Sequence, residues 1–69
     1  MEYRFLVMGS SGKTARAEEW SCASDVEAME RAARNVPSYG AELWRGDHRV
    51  SAFAGPLSAA RAEQGRARN

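Results

Sequence analysis

Ser24-Asp25-Val26-Glu27-Ala28-Met29-Glu30-Arg31-Ala32-Ala33-Arg34-Asn35-Val36-Pro37 is the stretch that decides the fold. Ser24-Asp25-Val26-Glu27 has the spacing of a capping box. In that motif the Ser24 hydroxyl accepts from the Glu27 backbone N–H, and the Glu27 carboxylate reaches back to the Ser24 N–H. Asp25 and Glu27 also complement the positive end of the helix dipole. Val26, Met29, Ala33 and Val36 recur at i, i+3, i+7 and i+10, one apolar helical stripe. Away from it, Glu27 and Arg31, and Glu30 and Arg34, stand four apart in the favoured acid-before-base order. Pro37 stops the run, because the residue before a proline avoids helical angles. The spacing predicts a helix over residues 25–36.

After the helix, Ser38-Tyr39-Gly40 is a short connection and Ala41-Glu42-Leu43-Trp44-Arg45 alternates as a strand. Gly46-Asp47 is a two-residue hairpin turn with Gly first, as type II′ prefers. His48 to Phe53 returns. With Arg45 opposite His48, Leu43 falls opposite Val50, Ala41 opposite Ala52, and Trp44 opposite Arg49. Before the helix, Glu2 to Met8 alternates Tyr3, Phe5 and Val7 with Arg4, Leu6 and Met8, the pattern of a strand. Gly9-Ser10-Ser11-Gly12 makes a turn and Lys13 to Cys22 reads as the returning strand. Ala15, Ala17 and Trp20 share one face there only if a bulge inserts a residue near Glu18-Glu19. A helix beginning near Thr14 is the rival reading.

Two hairpins around one helix imply an α+β domain, ββαββ, over residues 1–55: a four-stranded antiparallel sheet, order 2-1-3-4, with the helix on one face. The covered side is expected to hold Tyr3, Phe5, Val7, Leu43, Val50 and Ala52 beneath Met29, Ala33 and Val36. The uncovered side then carries Leu6, Met8, Trp44 and Phe53 beside Arg4 and Arg49. Residues 56–69 form an Arg/Ala-rich tail, read as weakly helical or disordered, with Arg61, Arg66 and Arg68 against Glu63 alone.

The chain has 69 residues, 43% apolar and 28% charged, with a net charge of +1. That is one small globular domain, and a chain this short buries only about 60% of its unfolded surface, so it gains from borrowing core. No run approaches the ~20 apolar residues of a membrane span. The opening Met1-Glu2-Tyr3-Arg4 does not lead into an apolar export signal. Cys22 is the only cysteine, which excludes an internal disulfide or multi-cysteine metal site and suits the reducing cytoplasm. Arginine supplies nearly all of the ten basic residues, a compositional bias of the kind seen in GC-rich bacterial coding sequences.

Motifs that suggest chemistry have simpler explanations. Gly9-Ser10-Ser11-Gly12-Lys13-Thr14 imitates a phosphate loop, but the required first glycine falls at Val7. Arg45-Gly46-Asp47 matches an adhesion tripeptide, and hairpin-turn chemistry accounts for it. His48 is the only histidine and sits at a hairpin tip without the convergent cleft that catalysis needs. Glu18 and Glu19 point to opposite faces of a regular strand. Cys22 reads as a small buried filler. No catalytic residue, cofactor or metal site is expected, and the chain is read as a non-enzyme.

Tyr3-Arg4-Phe5, Cys22-Ala23-Ser24-Asp25 and Glu42-Leu43-Trp44-Arg45-Gly46-Asp47 open the first hairpin, the helix and the second hairpin. In these runs residues 3–53 resemble short bacterial ββαββ proteins of uncharacterised activity. The resemblance implies the fold and transfers no site.

The functional expectation is a small interaction module, self-associating as a homodimer through the uncovered face or holding another protein there. Its contact residues are Leu6, Met8, Trp44, Arg49 and Phe53, since Trp and Arg are favoured interface hot spots. The alternative is a nucleic-acid accessory protein. Arg4, Arg16, Arg45 and Arg49 would meet phosphates beside Trp44 as a stacking platform, extended by Arg61, Arg66 and Arg68.

Overall fold

A computed structural model of the chain describes residues 1–57. Its elements are β1 (Glu2–Met8), β2 (Thr14–Ser21), α1 (Asp25–Ala33), β3 (Ala41–Arg45) and β4 (His48–Phe53). The four strands form one antiparallel sheet in the order β2-β1-β3-β4, with α1 on one face. This is the expected ββαββ arrangement, strand order included. Lys13 to Cys22 yields a strand, not the rival helix.

The helix begins as its cap demands. The Glu27 N–H donates to the Ser24 Oγ at 3.2 Å, with Ser24 extended just outside the first turn. It ends at Ala33, three residues before the expected Val36. Asn35 explains the early stop. Its backbone N–H turns to the Ala32 carbonyl, a tighter i−3 bond, and its side-chain amide donates to the Arg31 carbonyl at 2.7 Å. Asn35 thus satisfies carbonyls that the next turn would have used.

The buried side of α1 corrects a second expectation. Ala28 and Ala32 face the sheet, whereas Val26 is 64% exposed and Met29 38%. Ala33 is exposed and Val36 only half-buried. Tyr3, Phe5, Val7, Trp20 and Leu43 fill the sheet's inner face with large side chains. A helix packed over them needs small residues at closest approach, because interiors leave no room for a second bulky layer. Phe5 and Trp20 stack with centroids 4.4 Å apart, and the Arg31 guanidinium lies 4.2 Å from the Trp20 ring centre. Burial of each large apolar side chain stabilises by about 1.5–3 kcal/mol.

Two bulges reset the strand registers. In the first hairpin Val7 pairs with Arg16 and Met8 with Thr14, so Ala15 is the extra residue. The irregularity is not at Glu18-Glu19, and Arg16, Glu18 and Trp20 take the inner face while Ala17 joins Leu6 outside. In the second hairpin Trp44 pairs with Arg49 but Leu43 pairs with Ser51, leaving Val50 as the extra residue. Ala41 therefore lies opposite Phe53, and Glu42 opposite Ala52. Phe53 packs against the core from the helix side, so it does not belong to the uncovered face where alternation had put it.

The segment after β4 is pinned beneath the 37–40 connection. A Cβ on the buried Gly55 would stand 2.1 Å from the Pro37 carbonyl oxygen and 2.4 Å from that of Ser38. The Leu57 N–H bonds the same Ser38 oxygen at 2.9 Å. The expectations for the tail beyond Leu57, with Arg61, Arg66 and Arg68, lie outside the described residues.

Candidate protein-interaction face

Strand alternation sends Arg4, Leu6 and Met8 of β1, Glu42 and Trp44 of β3, and Arg49 of β4 to the face that α1 does not cover. The ladders bring them together: Arg4 neighbours Trp44, Leu6 neighbours Glu42, and Arg49 neighbours Trp44 from the other side. Leu6, Met8 and Trp44 are half-buried, and Arg4 and Arg49 are exposed. Four of the five expected contact residues thus share one surface, and Phe53 is the exception.

Glu42 organises the centre of this face. One of its oxygens accepts from the Trp44 indole N–H at 2.9 Å, and the other from Arg49 at 3.4 Å. Arg4 meets Glu19 at 2.9 Å across the β1–β2 ladder. The indole is held in one orientation before any partner arrives. A rigid aromatic with its polar tip already satisfied loses little conformational freedom on binding.

Arg45 lies elsewhere. It shares the inner parity of Ala41 and Leu43, and its Nη1 donates to both carboxylate oxygens of Asp25 at 2.7 Å. The Tyr3 hydroxyl donates to the same carboxylate at 2.5 Å. Asp25 therefore ties β1 and β3 to the first turn of α1. Its carboxyl is held below the usual range, first by the Tyr3 hydroxyl and then by Arg45. The Tyr3 phenol is pushed up by burial and then by the Asp25 carboxylate. Residue types alone did not single out this trio. The alternation of Tyr3 and Arg45 with the core positions Phe5 and Leu43 was the available signal.

Beside Trp20 a cleft of about 140 Å³ is lined by residues including Arg16, Glu18 and Arg31. Glu18 accepts from the Trp20 indole N–H at 3.1 Å and from Arg16 at 3.0 Å. These bonds, the indole's first, lower the Glu18 carboxyl below its ordinary value. The cleft is smaller than the roughly 300 Å³ at which small-molecule sites begin. A more open depression of about 330 Å³ by the β3–β4 turn has a mostly charged wall, including Glu2, Arg4, Glu19 and Asp47, unlike the apolar lining usual for ligands. Among the described residues no three His, Cys, Asp or Glu side chains converge as a metal site. Cys22 is buried with a free thiol. No helix among the described residues is long and apolar enough to cross a membrane. No family model, curated protein or solved structure matches this chain.

Proposed function

We propose that the chain is a small, non-catalytic interaction module that holds a protein partner on the sheet face opposite α1. The observation that carries this reading is the fixed indole of Trp44. It stands between Arg4 and Arg49 and diagonal to Leu6, with Met8 further along β1 on the same face. An aromatic anchor within a rim of ion pairs is the usual anatomy of a protein contact. The buried, unpaired Cys22 suits a reducing compartment such as the bacterial cytoplasm.

The nucleic-acid alternative has less support. Arg4, Arg16, Arg45 and Arg49 each hold a carboxylate: Glu19, Glu18, Asp25 and Glu42 respectively. A phosphate would have to displace those partners.

The test places a photo-crosslinking amino acid at Met8 and, as a control, at Glu27 on the exposed helix side. The expected result is a discrete protein adduct from position 8 that Trp44→Ala abolishes, with none from position 27. Equal adducts from both positions, or adducts indifferent to Trp44→Ala, would refute the reading. Salt-sensitive binding of labelled single-stranded DNA would favour the alternative.

A further inference from the structure

We infer that two copies of this chain pair through their β4 edges, with the α1 helices packed against each other across the dyad. This surface is distinct from the Trp44 face and does not depend on it.

β2 and β4 are the two edges of the sheet. An edge presents unpaired backbone groups that invite another strand, and charged side chains are the usual protection. β2 carries Arg16, Glu18 and Glu19 along its length. β4 has His48 and Arg49 only at its turn end, leaving Val50-Ser51-Ala52-Phe53 uncharged. A second β4 laid antiparallel would extend the sheet to eight strands with both helices on one side.

The helix supplies the second observation. Val26, Met29, Ala33 and Val36 form an apolar stripe by sequence, yet the single chain buries Ala28 and Ala32 instead. Arg31 lies on one flank of that buried pair and reaches β2's Trp20. Helical geometry puts its helical members Val26, Met29 and Ala33 on the opposite flank, toward β4. Among the strands, α1 comes nearest to β3 and β4. A helix centred between those strands and its dyad mate stand about 10 Å apart, given strands ~4.8 Å apart, the separation at which helices pack. Antiparallel helices in that register set Met29 against Ala33 of the other copy, and Glu30 beside its Arg34. The stripe is thus self-complementary in shape and its rim in charge.

Sedimentation and light scattering over a concentration series test the inference. The wild-type chain should be a dimer at high micromolar concentration. Val26→Lys/Met29→Lys should raise the dissociation constant at least ~100-fold, since it puts charge into the interface core. Both positions are exposed in the single chain, so far-UV circular dichroism should be unchanged. Should that variant fail to fold, Met29→Gln alone should still raise the constant by ~10-fold. Trp44→Ala should leave the dimer intact. Amide exchange at Ser51 to Phe53 should slow as concentration rises. A wild-type monomer, a dimer insensitive to Met29→Gln, or one whose β4 amides exchange alike at both concentrations would overturn the proposal. A dimer lost with Trp44→Ala would assign self-association to the sheet face instead. A monomer that still gives the position-8 adduct would leave the Trp44 reading standing alone.

Discussion

Arg45 holds both carboxylate oxygens of Asp25 at 2.7 Å, joining the end of β3 to the first turn of α1. The same carboxylate would favour the helix N-terminus through the dipole alone. Here it also fixes where that terminus sits over the sheet.

This arrangement predicts acid sensitivity. Asp25 is held below the ordinary carboxylate value by Tyr3 and Arg45, and Glu18 by Trp20 and Arg16. A depressed folded-state value gives stability that is present above about pH 4 and lost as pH falls through the lower folded value. The wild-type Tm should therefore drop below about pH 4. Asp25→Asn should have a lower Tm at neutral pH and a shallower acid decline. Parallel Tm-against-pH curves for the two proteins would contradict this.

The alkaline side is read from Tyr3. Burial, then Asp25, raises its phenol above the ordinary value. The contribution of the neutral phenol is complete below about pH 10 and is lost as pH rises through the higher folded value. In a Tyr39→Phe background, near-ultraviolet phenolate absorbance follows Tyr3 alone. Ionisation should coincide with loss of the near-ultraviolet dichroism of the core. A freely titrating phenol in an intact fold would rule the coupling out.

Leu43 and Trp44 should separate stability from binding. Leu43 is fully buried, at 0% exposure, so Leu43→Ala should cost about 2–5 kcal/mol of unfolding free energy through the cavity it leaves. Trp44→Ala should change the dilute-solution Tm much less and abolish the partner adduct. Denaturant titration of both variants supplies the comparison. A silent Leu43→Ala with an unfolded Trp44→Ala would reverse the assignment of faces.

Gly55→Ala should destabilise by about 3 kcal/mol or more, the upper end of the cost of overpacking, because the new methyl meets the Pro37 and Ser38 carbonyls. Gly12 has positive φ, but a Cβ there meets nothing within 4 Å. Gly12→Ala should cost about 1 kcal/mol, from backbone strain alone. Equal denaturation midpoints for the two variants would disprove the steric account.

The element order and the opposite faces of Leu43 and Trp44 were legible because hydrophobic period and capping are local signals. The bulges at Ala15 and Val50 were not, since either hairpin has a regular alternative with similar residues. Each slip changes parity, which moved Phe53 inward and Ala17 outward. The helix stripe misled for a different reason. Periodicity favours the bulkiest apolar face, but the large side chains on the sheet's inner face leave room only for Ala28 and Ala32. Four contact residues, Leu6, Met8, Trp44 and Arg49, followed directly from alternation. The pairing of Arg4 with Glu19 and of Arg49 with Glu42 depends on cross-strand register, which no single segment encodes.

The β2-β1-β3-β4 order also shapes the folding route. Each hairpin closes over a short turn and can form early. Pairing of Phe5 with Leu43 must join them across the whole helical connection, and closing a longer loop costs more entropy before its contacts reward it. Docking of the two hairpins is therefore the step expected to set the folding rate. Until Phe5 meets Leu43, the backbone edges of β1 and β3 lie open, and the half-assembled chain is most vulnerable to aggregation then.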